Sequence, residues 1–184
     1  LNAEVYENYT DVDGVLPVPP RILKNVGINK RFLNPLKELS FRQMEILTDF
    51  SVNVLHPDVL SLLEKTDIPI KILNTFNKYS SGTMVAENFS DSREFFFAVE
   101  KLETIKNIIS KKQYQTDIYR MLLNKKQAYE NGLYAIYLSN CEEIRIKTKM
   151  ISSRFGTEYF TSREGNILLI DKMSLMPVYK VLIG

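Results

Sequence analysis

The chain has little of the chemistry on which metal clusters, disulfides and phosphate-binding loops depend. Its 184 residues include one cysteine, one histidine, no tryptophan and seven glycines. A lone Cys141 excludes an intramolecular disulfide and a cysteine-based metal cluster, and we predict that it is a small buried apolar residue. A lone His56 excludes a cluster of histidine ligands. No two glycines are clustered, so the sequence shows no glycine-rich phosphate cradle.

The chain also lacks charge of one sign and long apolar runs. It has 24 basic and 22 acidic residues, a net charge of +2, and no basic block, which argues against a nucleic-acid partner. No apolar run has the length needed to cross a bilayer, so we expect no membrane partner and a cytoplasmic location. The pairs Lys111-Lys112 and Lys125-Lys126 are predicted to be solvated surface. The start at Leu1, without methionine, suggests a piece of a longer protein.

Residues 54–84 show the pattern of a short helix, a buried strand, a loop and a further strand. Proline suits the first turn of a helix, so His56-Pro57 predicts a helix start, and His56 is expected to serve there rather than in acid–base work. The run 68–76 is rich in branched residues and predicts a buried strand. A strand beside a covering helix is the unit of α/β proteins. Upstream, Ser40 and Gln43 match a helix capping box.

The second half is predicted to be α+β. The polar stretch 86–92 is the best candidate boundary, dividing the chain into domains 1–88 and 89–184. The predicted elements are a strand at 95–102, a helix at 103–111, a strand at 133–138, a strand at 143–150 from strict alternation, and a hairpin of 158–161 with 167–171. Residues 116–131 have helical spacing, although Asn131-Gly132 could instead turn a hairpin, and the order of elements after 112 stays open.

Three segments of the first half carry a family resemblance. They are residues 9–15 (YTDVDGV), 54–57 (VLHP) and 74–77 (NTFN), the last with Gly82-Thr83 behind it. In this order and spacing they closely resemble the C-terminal part of the catalytic domain of aspartokinases. The resemblance covers residues 1–86, just under half of the chain.

The resemblance implies a fold, an activity and partners. It implies the C-terminal portion of an amino-acid-kinase αβα sandwich, followed by a small ferredoxin-like (ACT-like) regulatory domain. The complete enzyme would phosphorylate the side-chain carboxylate of L-aspartate with ATP and Mg²⁺, at the start of the lysine, threonine and methionine pathway. It would also form a homo-oligomer and respond to an amino-acid effector. Two alternatives remain: a regulatory or assembly module without catalysis, and an unrelated α/β binding domain.

The residues themselves agree with a ligand site at the end of the first strand. Thr10 and Asp11 follow a predicted strand, and open α/β sheets bind ligands at that edge. Arg21 could contact phosphate oxygens with its planar donors. The resemblance implies that the nucleotide site is lined by Thr10, Asp11, Leu16, Arg21, Asn53 and Val54, and it transfers no catalytic residue to this chain.

Two positions depart from the family pattern, and other segments are missing. Pro19 stands where an aspartate is frequent, and Asn53 stands where a lysine would place a cation near phosphate. The family's Lys-Gly-Gly and Gly-Gly-Ser-Asp segments belong upstream of Leu1, so we expect no ATP turnover by this chain alone. Asp11 and Asp13 could be a catalytic pair or part of a turn, and the turn is favoured for Asp13.

Overall fold

The computed structural model describes residues 3–27, 33–87, 89, 94–112, 116–124 and 132–184. Within them the chain forms eight strands and seven helices. The strands are β1 (Tyr6–Thr10), β2 (Glu38–Leu39), β3 (Ile70–Asn74), β4 (Thr83–Val85), β5 (Phe97–Lys101), β6 (Leu133–Leu138), β7 (Glu158–Thr161) and β8 (Asn166–Asp171). The helices are α1 (Pro20–Asn25), α2 (Phe41–Asp49), α3 (Pro57–Thr66), α4 (Leu102–Ile109), α5 (Asp117–Leu123), α6 (Glu142–Phe155) and α7 (Leu175–Ile183).

The first sheet has the strand order β1-β3-β4-β2. Strands β1 and β3 are parallel, with Thr10 opposite Asn74, and β2 and β4 are also parallel. Strands β3 and β4 run antiparallel, so the sheet is mixed rather than wholly parallel. The parallel pair leaves the carboxyl ends of β1 and β3 side by side at one edge.

Helices α2 and α3 begin where the sequence predicts. Ser40 Oγ accepts a hydrogen bond from the Gln43 amide at 3.1 Å, and Gln43 Oε1 accepts one from the Ser40 amide at 3.1 Å. This capping box satisfies two donors that α2 would otherwise leave unpaired. At the start of α3, His56 Nδ1 accepts from the Asp58 amide at 3.2 Å. Both predicted helix starts are confirmed.

The second sheet has the order β5-β6-β8-β7, and each neighbouring pair is antiparallel. Strands β6 and β7 therefore run parallel to each other, with β8 between them and α6 connecting them. Pairing of Thr161 with Asn166 confirms the predicted hairpin. The two helices α6 and α7 contact each other.

The alternating segment 143–150, predicted as a strand, lies instead within helix α6. Ile144, Thr148 and Ile151 are its buried residues, at spacings of four and three. Ile146, which alternation would place with Ile144, is 55% exposed. The prediction was wrong because apolar residues at i and i+4 satisfy both periods, and tertiary packing selected the helical one.

Two further helices were not predicted. Helix α1 begins at Pro20, because proline fits the first helical position, where no N–H partner is needed. Helix α7 also follows the predicted hairpin. The helical alternative is confirmed for α5, whereas residues 125–131, including Lys125-Lys126 and the hairpin alternative, lie outside the described residues.

The two halves share apolar packing. One core cluster joins Met44 and Leu47 of α2 to Phe96, Ile105 and other buried residues of the second half. A second cluster packs the α1 segment onto the other face of the second sheet. No helix among the described residues is long and apolar enough to cross a membrane.

Candidate functional site

The edge formed by the carboxyl ends of β1 and β3 carries the first pair of predicted site residues. The Thr75 amide donates to the Thr10 carbonyl at 2.8 Å, which continues the parallel pairing to the strand ends. Thr10 is half-buried and Asp11 is exposed, and Thr10 Oγ1 donates to Asp11 Oδ1 at 3.3 Å. A hydroxyl and a carboxylate therefore stand together at the sheet edge where α/β proteins bind ligands.

Asp13 holds the loops behind this edge together. Its Oδ1 accepts from Asn74 Nδ2 at 2.8 Å and from Asn77 Nδ2 at 2.9 Å. Its backbone carbonyl accepts from Ser80 Oγ at 2.8 Å. These bonds join the loop after β1 to the loop after β3, so Asp13 has the structural role that the sequence favoured.

Removing the Asp13 carboxylate should loosen this edge. We expect Asp13→Ala to lower the free energy of unfolding by about 1–3 kcal/mol, because two half-buried amides lose their acceptor. Urea denaturation measures the change. Asp11→Ala is the matched control, since Asp11 is exposed and its side chain binds only the Thr10 hydroxyl among the described residues. Equal losses in both variants would contradict the structural role of Asp13.

The Asn53-Val54 segment lies against the same strand. Asn8 Nδ2, on β1, donates to the Val54 carbonyl at 3.1 Å. Val54 is half-buried and Asn53 is exposed, while Leu16, on the loop after Asp13, is half-buried. The structure thus brings the 53–54 segment beside β1, as a shared site requires.

Arg21, on helix α1, lies against strand β5 of the second sheet. Its guanidinium donates to the Val99 carbonyl and lies 3.7 Å from Glu100 Oε2. Ser51 Oγ donates to the same Glu100 oxygen at 2.6 Å. Glu100 therefore connects Arg21 to the segment that precedes Asn53. Among the described residues, no hydrogen bond or ion pair joins Arg21 to the Thr10-Asp11 pair.

Glu100 remains a carboxylate in this position. Burial alone would raise its pKa, but hydrogen bonds from Ser51 and the Lys101 amide, together with the Arg21 charge, lower the pKa of Glu100 below its ordinary value. A lowered carboxyl pKa stabilises the folded protein at pH values above the unfolded-state pKa. This stabilisation is lost as the pH falls through the folded-state pKa.

A second polar cluster, which sequence reasoning missed, joins the two halves. Lys112 Nζ lies 2.6 Å from Asp49 Oδ2 and 2.9 Å from Glu45 Oε1, and the Tyr119 hydroxyl donates to Asp49. The expectation that Lys112 is solvated surface was wrong. Burial raises the pKa of Asp49, although Lys112 and Tyr119 oppose this. The sequence feature that could have indicated this cluster was Asp49, a charged residue next to the apolar stripe of α2.

Comparison with known proteins finds similarity to one group of enzymes. No protein-family model matches the chain. Rickettsia prowazekii aspartokinase is 34% identical over 85 residues, which are 46% of this chain and 18% of that protein. Bacillus subtilis aspartokinase 3 is 35% identical over 85 residues, 46% of this chain and 17% of that protein. The chain is related to the aspartokinases. The matched length agrees with that of segment 1–86, which carries the motifs.

Solved aspartokinase structures share the fold of both halves. Clostridium acetobutylicum aspartate kinase superposes with a TM-score of 0.62 at 16% identity, over 98% of this chain and 54% of that chain. Escherichia coli aspartokinase III, in complex with aspartate and ADP, gives a TM-score of 0.63 at 15% identity, over 98% and 52%. The chain therefore spans about half of these aspartokinase structures and less than a fifth of the two curated relatives.

Proposed function

We propose that residues 1–88 form one flank of an aspartokinase catalytic domain and line part of its nucleotide site. The complete enzyme would transfer a phosphoryl group from ATP to the side-chain carboxylate of L-aspartate. The observation that supports this most is the parallel pairing of β1 with β3, which places Thr10 and Asp11 at an exposed sheet edge. The proposed reaction is that of the aspartokinases to which the chain is similar.

Each proposed residue has a role that its surroundings allow. The Asp11 carboxylate can accept hydrogen bonds from ribose hydroxyls or from the adenine amine, and Thr10 can donate or accept beside it. Leu16 and Val54, both half-buried, offer apolar surface to the base. Asn53 adds an exposed amide in place of the family's lysine. Arg21 is proposed as the residue nearest to phosphate, although its guanidinium is held by Glu100.

The residues present fit the nucleoside better than the phosphates and Mg²⁺. The described part of the chain contains no group of three acidic, histidine or cysteine side chains able to hold a metal ion. The sequence has no clustered glycines either. When bound, Mg²⁺ would neutralise phosphate charge, and the groups that position it are not among these residues. We therefore expect nucleotide binding without turnover.

We propose a regulatory role for residues 89–184. Strands β6 and β7, joined by α6 and separated by β8, make the split βαβ arrangement of ferredoxin-like units. Strand β5, on the far side of β6, takes the place of the final strand in a βαββαβ unit. An ACT-like domain of this kind would bind an amino-acid effector and pair between subunits. Escherichia coli aspartokinase III has been crystallised with lysine and aspartate.

Thermal unfolding of the whole chain with MgATP tests the nucleotide site. We expect millimolar MgATP to raise the melting temperature, since a ligand that binds only the folded state stabilises it. The double variant Thr10→Val/Asp11→Asn should lose the shift. Glu142→Gln is a matched control for loss of a carboxylate, because Glu142 is 78% exposed on helix α6.

Amino acids added in place of MgATP separate the two roles. A shift with lysine or threonine alone would support the regulatory module and not the nucleotide site. A MgATP shift that survives in the double variant would contradict the assignment of Thr10 and Asp11. Formation of aspartyl phosphate by the pure chain would contradict the expected lack of turnover.

A further inference from the structure

A cleft of about 390 Å³ lies on the second sheet, between α1, β5 and α7, away from the Thr10-Asp11 edge. Its volume is within the range of small-molecule sites. The apolar part of its lining comes from Ile22, Val99, Leu175 and Met176, and the rings of Tyr134 and Tyr179 complete it.

The polar side chain that marks this cleft is Tyr179. The residue is only 6% exposed, and its hydroxyl makes no hydrogen bond with any described residue. Among the described residues, the side-chain oxygens that are both sealed from solvent and without a partner do not include the Tyr179 hydroxyl. This hydroxyl therefore opens onto the cleft that Tyr179 lines. Burial raises the pKa of Tyr179 to about 12, against the opposing charge of Arg21. At neutral pH it therefore offers a proton to a ligand.

The cleft has an excess of positive charge. Arg21, Lys101 and Lys172 line it, and Glu100 is the one carboxylate in the lining. Lys101 and Lys172 form no ion pair with any residue in the described part of the chain. Arg21 uses part of its donor set on the Val99 carbonyl and Glu100, and a guanidinium has five N–H donors.

A larger cleft between α2 and α3, of about 490 Å³, lacks this character. Of its three cations, Arg42 and Lys112 are paired with Glu45, at 4.0 and 2.9 Å, and four carboxylates line it, those of Glu45, Asp49, Asp58 and Glu64. Its lining therefore has an excess of negative charge, whereas the lining of the cleft beside Tyr179 has an excess of positive charge.

We propose that the cleft lined by Arg21, Lys101, Lys172 and Tyr179 binds a small phosphate monoester with an apolar or aromatic body. Such a phosphate carries a charge of about −2 at neutral pH, which matches the two uncompensated cations. Arg21 and Tyr179 donate to phosphate oxygens, while the body packs on Met176 and the Tyr134 ring. The cleft shares Arg21 with the proposed nucleotide site, but Lys101, Lys172 and Tyr179 belong to the cleft alone, and Thr10 and Asp11 do not line it.

Isothermal titration of the whole chain with phenyl phosphate tests the proposal. We expect saturable binding at millimolar concentration, weaker binding of inorganic phosphate, and none of phenol. Tyr179→Phe keeps the ring that stacks on Phe97 and removes only the hydroxyl. Tyr179→Phe and Lys172→Gln should each weaken phenyl phosphate binding by about tenfold, corresponding to about 1.4 kcal/mol. Lys149→Gln, at an exposed position on α6, is the matched control and should bind normally.

The outcomes separate this site from the nucleotide edge. Phenyl phosphate binding that is lost in Lys172→Gln but kept in Thr10→Val/Asp11→Asn supports the cleft, whatever MgATP does. Absence of binding by the unaltered chain, or equal binding by Lys172→Gln, Tyr179→Phe and Lys149→Gln, overturns the proposal. Unchanged circular dichroism and melting temperature in the variants establish that any loss is not a loss of fold.

Discussion

Gly82→Ala is expected to destabilise the chain by about 3 kcal/mol or more, among the larger effects of a single substitution. A Cβ at this position would lie 2.2 Å from the Ile72 carbonyl oxygen, which is backbone and cannot rotate away. Gly82 also has φ +71°, a left-handed conformation that costs other residues about 1–2 kcal/mol. The clash and the conformational cost add, because relieving one does not relieve the other.

Gly27 provides a matched control for this prediction. Its φ of +75° is close to that of Gly82, yet a Cβ there would meet no atom of a described residue within 4 Å. Gly27→Ala should therefore show only the conformational cost of about 1 kcal/mol. Urea denaturation of both variants isolates the steric part, and equal losses would refute the close approach of the chain to β3.

The Gly82 substitution should also affect the candidate site. The Gly82 amide donates to Ser80 Oγ at 3.3 Å, and Ser80 Oγ donates to the Asp13 carbonyl. Displacing residue 82 therefore disturbs the loop network behind the Thr10-Asp11 edge. We expect Gly82→Ala to reduce the MgATP shift at temperatures where the chain is still folded, whereas Gly27→Ala should leave it unchanged.

Lys112→Met is expected to lower the free energy of unfolding by about 2–4 kcal/mol, as removal of one partner from a largely buried ion pair does. The Asp49 side chain is only 8% exposed and would retain Tyr119 as its remaining described partner. The Lys112 stem is also packed, with its ammonium 5.4 Å from the centre of the Tyr119 ring. Lys111→Met is the matched control, because the neighbouring Lys111 is exposed.

Two further measurements identify the cause of this loss. Asp49→Asn combined with Lys112→Met should recover much of the stability, because no buried carboxylate is then left without its cation. The pH dependence provides the second. When the folded-state pKa of a carboxyl is raised, the protein loses stability as the pH rises from the unfolded-state pKa to the folded-state pKa. Removing Lys112 raises the folded-state pKa of Asp49 further and so widens this pH range. The loss of unfolding free energy in Lys112→Met should therefore be greater at neutral than at mildly acidic pH.

Elements with local signals were predictable from the chain alone. The Ser40-Gln43 capping box and the His56-Pro57 start form from contacts within four residues, and the structure shows both. The three motif segments of the first half were sufficient to recognise the aspartokinase relation. The segment 143–150 was not predictable, because its apolar spacing fits either period and the neighbours that decide it lie far along the chain.

The candidate site also has features that local sequence predicts and features that distant residues decide. The place of Thr10 and Asp11 at a strand end was predictable because a strand end is a local feature, and parallel pairing with β3 sets them at one edge of the sheet. The partners of Arg21 and Lys112 could not be predicted, since Glu100 and Asp49 lie 79 and 63 positions away. Tyr179 and its cleft also depend on α1 and α7, which had no clear local pattern.

The sequence by itself determined the starts of α2 and α3, the sheet edge with its hydroxyl and carboxylate, and the kinship with aspartokinases. These depend on short-range hydrogen bonding, side-chain periodicity and motif order, all of which can be read from neighbouring residues. Tertiary structure alone decided that α6 is a helix, that Asp49 and Lys112 join the halves, and that Lys101 and Lys172, which have no ion-pair partner among the described residues, line the cleft beside Tyr179. Burial and long-range charge pairing exist only after distant segments have packed together.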